Sequence, residues 1–252
     1  MNKILQDTVV MVTGGGTGIG HSTALAFAEA GAKVVVADIL VQAGEETVQK
    51  IKRTGGEAVF VKTDVSKATE VEAAVQKAVD EFGRLDCAFN NAGIDGDLGP
   101  IHKQCEENWD RVININMKGV WLCMKYEIQQ MLEQGSGAIV NTASISGLTG
   151  RGTVAYSASK HGIVGMTKVA ALENAKTGIR VNAVCPAAIN TPMVASLMAA
   201  DPTMKAYLEN MQPMGRVGEP EEVSQVVVWL CSDAASFITG HSLPIDGGLV
   251  AQ

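Results

Sequence analysis

The 252 residues carry a net charge of −7, with 46 % hydrophobic and 19 % charged side chains, apolar material enough for the core of one large domain or two small ones. The acidic balance is the wrong sign for a nucleic-acid or anionic-membrane surface, and no apolar run reaches the about 18 residues of a bilayer-spanning helix. The five cysteines (Cys87, Cys105, Cys123, Cys185, Cys231) are odd in number and never spaced as CxxC, and the four histidines are scattered; the chain therefore reads as a reduced, cytoplasmic protein with neither a disulfide frame nor a metal site.

The opening MNKILQDTVVMVTGGG is expected to run directly into a strand and a glycine turn, leaving no room for a signal peptide. The first strand, TVVMVT over 8–13, is apolar on both faces, as a parallel strand covered on two sides must be. TGGGTGIG follows over 13–20, and then the helical pattern STALAFAEAG. Gly14, Gly18 and Gly20 let the chain turn tightly and approach a pyrophosphate, whose charge the helix N-terminus favours. Thr17 and Ile19, between those glycines, are assigned to the same dinucleotide site.

The second strand, KVVVAD over 33–38, ends in Asp38. A carboxylate there accepts hydrogen bonds from the adenosine ribose hydroxyls of NAD and repels the 2′-phosphate of NADP. Ile39 and the residues after it offer no basic side chain before Lys50, and the glycine turn holds none. NAD(H) is expected in preference to NADP(H).

Further strands are predicted at EAVFVK (57–62), LDCAFN (85–90), GAIVNT (137–142) and IRVNAV (179–184), with helical patterns such as TEVEAAVQKAVDEFG between them. Strands alternating with helices predict an α/β fold. It is a Rossmann-like, doubly wound parallel sheet of about seven strands, with helices on both faces and a single domain over 1–252. The rhythm breaks over about 186–219. PAAINTPMVASLMAADPTMKAYLENMQPMGRVGEP holds five of the seven prolines and five of the eleven methionines. A long insertion after a strand's carboxyl end lies where ligands bind, so a lid over an apolar ligand is expected. The alternative is a surface helix pair whose methionines fill core gaps.

AYSASK, at 155–160, sets Tyr156 and Lys160 four residues apart on one helical face. A tyrosine of ordinary pKa, about 10, is a poor acid or base at neutral pH. A neighbouring ammonium favours the phenolate. At about 4 Å and an effective dielectric near 20 the interaction is about 4 kcal/mol, equivalent to at most about three pKa units. Lys160 is therefore expected to bring Tyr156 toward neutrality, with the positive nicotinamide ring of NAD⁺ adding in the same sense.

The glycine spacing GxxxGxG, NNAG at 90–93 and YxxxK at 156–160 occur in an order and spacing that resemble the short-chain dehydrogenase/reductase family over essentially the whole chain. The resemblance implies that Asp64, in TDVS with Val65 beside it, meets the adenine ring. It implies that Asn90, Asn91, Ala92 and Gly93 turn over the adenosine ribose and steady the central strand. Asn116, in NINMKG, then holds a water in the proton path, and Ser144, in NTASISG, binds the substrate oxygen. Tyr156 moves the proton, while Lys160 binds the nicotinamide ribose and passes the proton on. Pro186, Ile189 and Thr191, in CPAAINTPM, look like the segment that holds the nicotinamide carboxamide. Each has a duller reading: Asn116 as a helix cap or bend, Asp64 as a cap for the helix starting near Ser66, Thr142 and Ser146 as donors in place of Ser144.

The chain departs from the family in having Pro186-Ala187 where Pro-Gly is usual, and only twelve positions separate Ser144 from Tyr156. Both changes touch the substrate side. Ile94, Leu148, Met193 and Leu197 lie beside the motifs and give an apolar substrate pocket. Arg151 reads either as a partner for an acidic group or as a solvated loop residue. The C-terminal stretch is similar to that of NAD-linked secondary-alcohol dehydrogenases, so a secondary alcohol/ketone couple, alicyclic or aryl-alkyl, is expected. The alternatives are a 3-oxoacyl-carrier-protein reductase, against which Asp38 and the lack of a basic patch count, and an NAD-sensing binding protein without turnover. Apolar helices around 104–134 and 154–176 are expected to pair with other copies, and the resemblance implies a homotetramer.

Overall fold

Alternation along the strands sets the layers. The structure, a computed structural model, describes residues 4–201 and 203–252. In β1 (Val9–Thr13) the side chains of Val10 and Val12 enter one apolar cluster, and those of Val9 and Met11 enter another. The two-residue period of a strand sends successive side chains to opposite faces, so a run apolar throughout demands cover on both. β2 (Lys33–Asp38) divides the same way, Val34 and Val36 against Val35 and Ala37.

Cover on the first face comes from α1 (Gly18–Glu29), α2 (Val41–Arg53) and α9 (Pro220–Cys231), which contribute Phe27, Ile51, Val223 and Val227. The opposite face is covered by α3 (Ala68–Phe82), α5 (Gly119–Gln134) and α6 (Val154–Glu173), through Val75, Val120, Met124 and Ile163. The remaining strands are β3 (Ala58–Lys62), β4 (Cys87–Asn90), β5 (Gly137–Thr142), β6 (Ile179–Pro186) and β7 (Ser242–Ile245). All pair in parallel in the order β3-β2-β1-β4-β5-β6-β7. The order reverses between β1 and β4, and the carboxyl ends of those strands open the crevice where such sheets take ligands.

The predicted bounds of β2 and β5 match residue for residue, and β6 runs two residues further, to Pro186. β7 had no separate prediction. Its Pro244 cannot donate to a ladder, which suits an edge strand.

Between α4 (Glu106–Val112) and α5 the chain widens into a π-helical turn, Ile113–Lys118. The proline- and methionine-rich insertion folds as α7 (Pro192–Ala200) and α8 (Met204–Met211). Its base is closed by hydrogen bonds from Asn190 N–H to Gly218 O at 2.8 Å and from Gly218 N–H to Ala188 O at 3.0 Å. Met193 and Met214 are exposed rather than filling the core.

Candidate active site

One cavity of about 900 Å³ opens at the carboxyl ends of the strands, between the glycine turn and the α7–α8 insertion. Its floor is two loops locked together. Thr13 Oγ1 accepts from the N–H groups of Asn91 (3.0 Å) and Ala92 (3.2 Å), and Asn91 Nδ2 donates to the carbonyls of Thr13 and Gly14. Gly14 has φ 63°, and a methyl group there would stand 2.9 Å from Ala92 Cα. Side chains other than hydrogen are excluded by conformation and by space. Gly18 lies beside Thr191, and Thr17, the N-cap of α1, makes no side-chain bond to the helix. The first N–H groups of α1 are thus left for an anion.

Asp38 closes this end. Only 6 % exposed, it accepts from Gly16 N–H through Oδ2 and from Leu40 N–H through Oδ1, each at 2.8 Å. Both oxygens keep acceptor capacity toward the cavity that Asp38 lines. Asp64 also lines the cavity, yet its Oδ1 accepts from Ser66 N–H (3.0 Å) and Ser66 Oγ–H (2.7 Å). The helix-cap reading of Asp64 does not hold, because α3 starts at Ala68 with Lys67 as its N-cap; Asp64 closes the turn before it instead and still lines the cavity. Ile19, Ile39, Val65, Ala92 and Gly93 complete this half of the lining.

At the other end, α6 presents Tyr156 and Lys160 to the same cavity, and the segment after β5 presents Ser144. Lys160 is 3 % exposed, and its Nζ donates to Thr142 O at 2.8 Å while standing 5.4 Å from the Tyr156 ring centroid. Burial lowers Lys160 to about 8, against the opposing pull of Asp95 and Cys185. Tyr156 is pushed well above its ordinary value, by burial first and by the Asp95 carboxylate second, with a hydrogen bond to Ser144 acting the other way. In the protein without cofactor, Lys160 does not offset burial and Asp95 at Tyr156. A weakly solvated phenolate beside a carboxylate costs more than an ammonium beyond hydrogen-bond range returns. Ser144 Oγ accepts from Ser146 N–H at 3.1 Å and reaches Pro186 O only at 3.4 Å, a weak contact.

Pro186, Ile189 and Thr191 line the cavity after β6, with Ile94, Met193 and Leu197 on the insertion side. Ala187 needs no special backbone, since Asp7 is the one non-glycine residue of positive φ among those described. Four expected site residues do not reach the lining. Gly20 is packed under Gly14, whose carbonyl oxygen a methyl group at Gly20 would strike. Asn90 turns into the core, where its Nδ2 donates to Glu127 Oε2 (2.9 Å) and Asn141 Oδ1 (3.0 Å). Asn116, fully buried in the π-helical turn, brackets Ile94. Its Oδ1 accepts from Ile94 N–H at 2.9 Å, and its Nδ2 donates to Ile94 O at 2.8 Å. Leu148 lies outside the cavity, because the 3₁₀ turn Ile145–Gly147 carries it to the surface and leaves Ile145 facing in. Sequence reasoning missed Leu98, Leu208 and Met211 on the apolar wall, and Asp95 among them. A lone acidic residue directly after Ile94 was the only signal for Asp95.

The residues present fit a nicotinamide dinucleotide. A glycine turn accepts no Cβ, an uncapped helix start and a ribose-height carboxylate share one cavity with a serine, a tyrosine and a buried lysine. Fold and site together define a dinucleotide-dependent oxidoreductase.

Comparisons with known proteins agree. A family model described as "Enoyl-(Acyl carrier protein) reductase" matches residues 14–250. The chain is 44% identical over 253 residues to the cyclohexanol dehydrogenase of Acinetobacter sp. (strain SE19), covering 100% of this chain and 98% of that one. It is also 44% identical to a 2,5-dichloro-2,5-cyclohexadiene-1,4-diol dehydrogenase of Sphingobium indicum, with 98% of each covered. The crystal structure of levodione reductase superimposes with a TM-score of 0.94 at 40% identity, over 98% of this chain and 99% of that one. The chain belongs to the short-chain dehydrogenase/reductase family. It is an oxidoreductase of the CH–OH class that uses a nicotinamide cofactor.

Proposed function

We propose that this protein interconverts alicyclic secondary alcohols and their ketones with NAD(H) preferred over NADP(H). The observation that carries the reading is the meeting of Ser144, Tyr156 and Lys160 in the cavity that also takes in the glycine turn and Asp38. Similarity to enzymes named for cyclohexanol and a cyclohexadiene-diol supports the alicyclic substrate.

Bound nicotinamide supplies the hydride acceptor or donor, and the side chains supply the rest. Asp38 accepts from ribose hydroxyls and repels a 2′-phosphate, and the start of α1 with Gly14, Thr17 and Gly18 takes the pyrophosphate. Asp64 and Val65 flank the adenine. Pro186, Ile189 and Thr191 hold the carboxamide end. Ser144 exchanges its long contact to Pro186 O for the substrate oxygen. Tyr156 takes the alcohol proton in oxidation and returns it in ketone reduction. Lys160, held on Thr142 O, orients the ribose and passes the proton outward. Asn116 retains one lone pair on Oδ1 for a water in that path, its other groups being engaged on Ile94 and Ser159.

Ile94, Leu98, Met193, Leu197 and Leu208 give the substrate an apolar wall, and α7 with α8 acts as the lid. The partner is a small molecule, with no nucleic acid or membrane. Trp109, Trp121 and Leu132 on α4 and α5, and Val169 and Leu172 on α6, are exposed apolar side chains. They suit the packing of further copies into a homotetramer. All five cysteines are free, which suits the cytoplasm.

The test is a panel of secondary alcohols and ketones, assayed at the NADH absorbance band with each cofactor. Turnover of alicyclic members with NAD(H), at least about tenfold above NADP(H), is expected. A cofactor-binding protein that turns over no member would refute the reading.

A further inference from the structure

Three carboxylates line the cavity, and they differ in one respect. Asp38 and Asp64 are engaged by backbone N–H groups. Asp95 has no hydrogen bond or ion pair among the described residues, although it is partly buried in the cavity that Tyr156 and Lys160 also line. Its position is nonetheless fixed. Asn116 grips both backbone groups of Ile94, one residue before it, and Asn108 Oδ1 accepts from Asp97 N–H at 2.9 Å, two residues after it. A carboxylate held by its backbone, unpaired, in a cavity whose wall also carries Ile94, Leu98 and Leu197, is an acceptor with nothing among the described residues to accept from.

We infer that Asp95 is a specificity-determining residue that accepts a hydrogen bond from a second hydroxyl on the substrate, making a cyclic diol, or its hydroxyketone, preferred over a plain cyclic alcohol. The inference rests on the oxidoreductase reading above and deepens it. At the reacting carbon the C–H bond gives its hydride to the oxidised cofactor and the O–H gives its proton to Tyr156, forming the ketone. The second hydroxyl stays intact on Asp95, so the product is a hydroxyketone. A plain alcohol leaves the partly buried carboxylate unpaired, which is how a polar site rejects an analogue that lacks the donor. A hydrogen bond to a charged group corresponds to about 10–100-fold in kcat/KM. A substrate carrying its own carboxylate is disfavoured at this position.

The experiment compares wild type, Asp95→Asn and Asp95→Leu on cyclohexanol and on the cis and trans isomers of cyclohexane-1,2-diol and cyclohexane-1,4-diol, with NAD⁺. A second readout is the thermal shift that each alcohol gives the NADH-loaded protein, where no turnover occurs. Wild type is expected to favour at least one diol isomer by about 10–100-fold. Asp95→Leu should lower that ratio about tenfold or more, with Asp95→Asn between, and the diol's extra thermal shift should disappear in parallel. An unchanged diol-to-cyclohexanol ratio in Asp95→Leu would overturn the inference. So would an equal loss on both substrates with a displaced pH profile, which would mean Asp95 acts only through Tyr156 and Lys160. A wild type that oxidises none of these alcohols would sink the alicyclic-alcohol reading instead, and the thermal shifts would still decide Asp95.

Discussion

Lys160 Nζ donates to the carbonyl of Thr142 at 2.8 Å while standing 5.4 Å from the ring of Tyr156. The ammonium is thus anchored to the end of β5 rather than to the phenol, and the tyrosine meets burial and Asp95 before it meets the lysine. The positive nicotinamide ring of NAD⁺ is expected to favour the phenolate of Tyr156. A difference titration at the tyrosinate band, wild type minus Tyr156→Phe, is expected to show no ionisation of Tyr156 below about pH 10 in the protein alone. With NAD⁺ added, the ionisation should move down in pH. Since oxidation needs the deprotonated form, kcat/KM for alcohols should rise with pH to a plateau.

Asp38 serves two ends at once, tying Gly16 and Leu40 and facing the cavity. Asp38→Ala is expected to lower the NAD-to-NADP ratio of kcat/KM by about 10–100-fold, the loss of one hydrogen bond to a charged group. The same variant should lose about 1.5–3 kcal/mol of stability with those backbone partners, read by thermal denaturation. An unchanged cofactor ratio would show that selectivity lies elsewhere.

Glu127 is fully buried beside Asn90. Burial raises it to about 8, and the Asn90 hydrogen bond counters only in part. Its Oε1 and the Oδ1 of Asn90 have no partner among the described residues. Because the folded pKa exceeds the ordinary 4.5, the folded chain keeps a proton between pH 4.5 and about 8 that the unfolded chain has released. Stability therefore falls as pH rises through that window and is level above it. Glu127→Gln removes the titration and adds a donor. It should raise Tm by a few degrees at pH 8, about 1–4 kcal/mol, with the gain shrinking toward pH 5.

Strands apolar on both faces were legible to the residue, as β2 and β5 show, because burial on two sides leaves a continuous run. β7 was not, being four partly exposed residues with a proline. The glycine turn, Asp38, Ser144, Tyr156 and Lys160 were legible because their chemistry is local to short motifs, and the structure does gather them. The inward turns of Asn90 and Asn116 were hidden, since their partners lie 22 to 51 positions away in the chain. The burial cost at Tyr156 was hidden for the same reason: burial is a property of the assembled site, and spacing on one helix face cannot report it.

The central claim, that Tyr156 moves the proton in a nicotinamide-linked CH–OH reaction, is tested most directly by Tyr156→Phe assayed for NADH binding by fluorescence and for turnover of an alicyclic alcohol. The account predicts NADH affinity within a few-fold of wild type and turnover lower by about 10²–10⁴. A variant that binds NADH and turns over at the wild-type rate would contradict it.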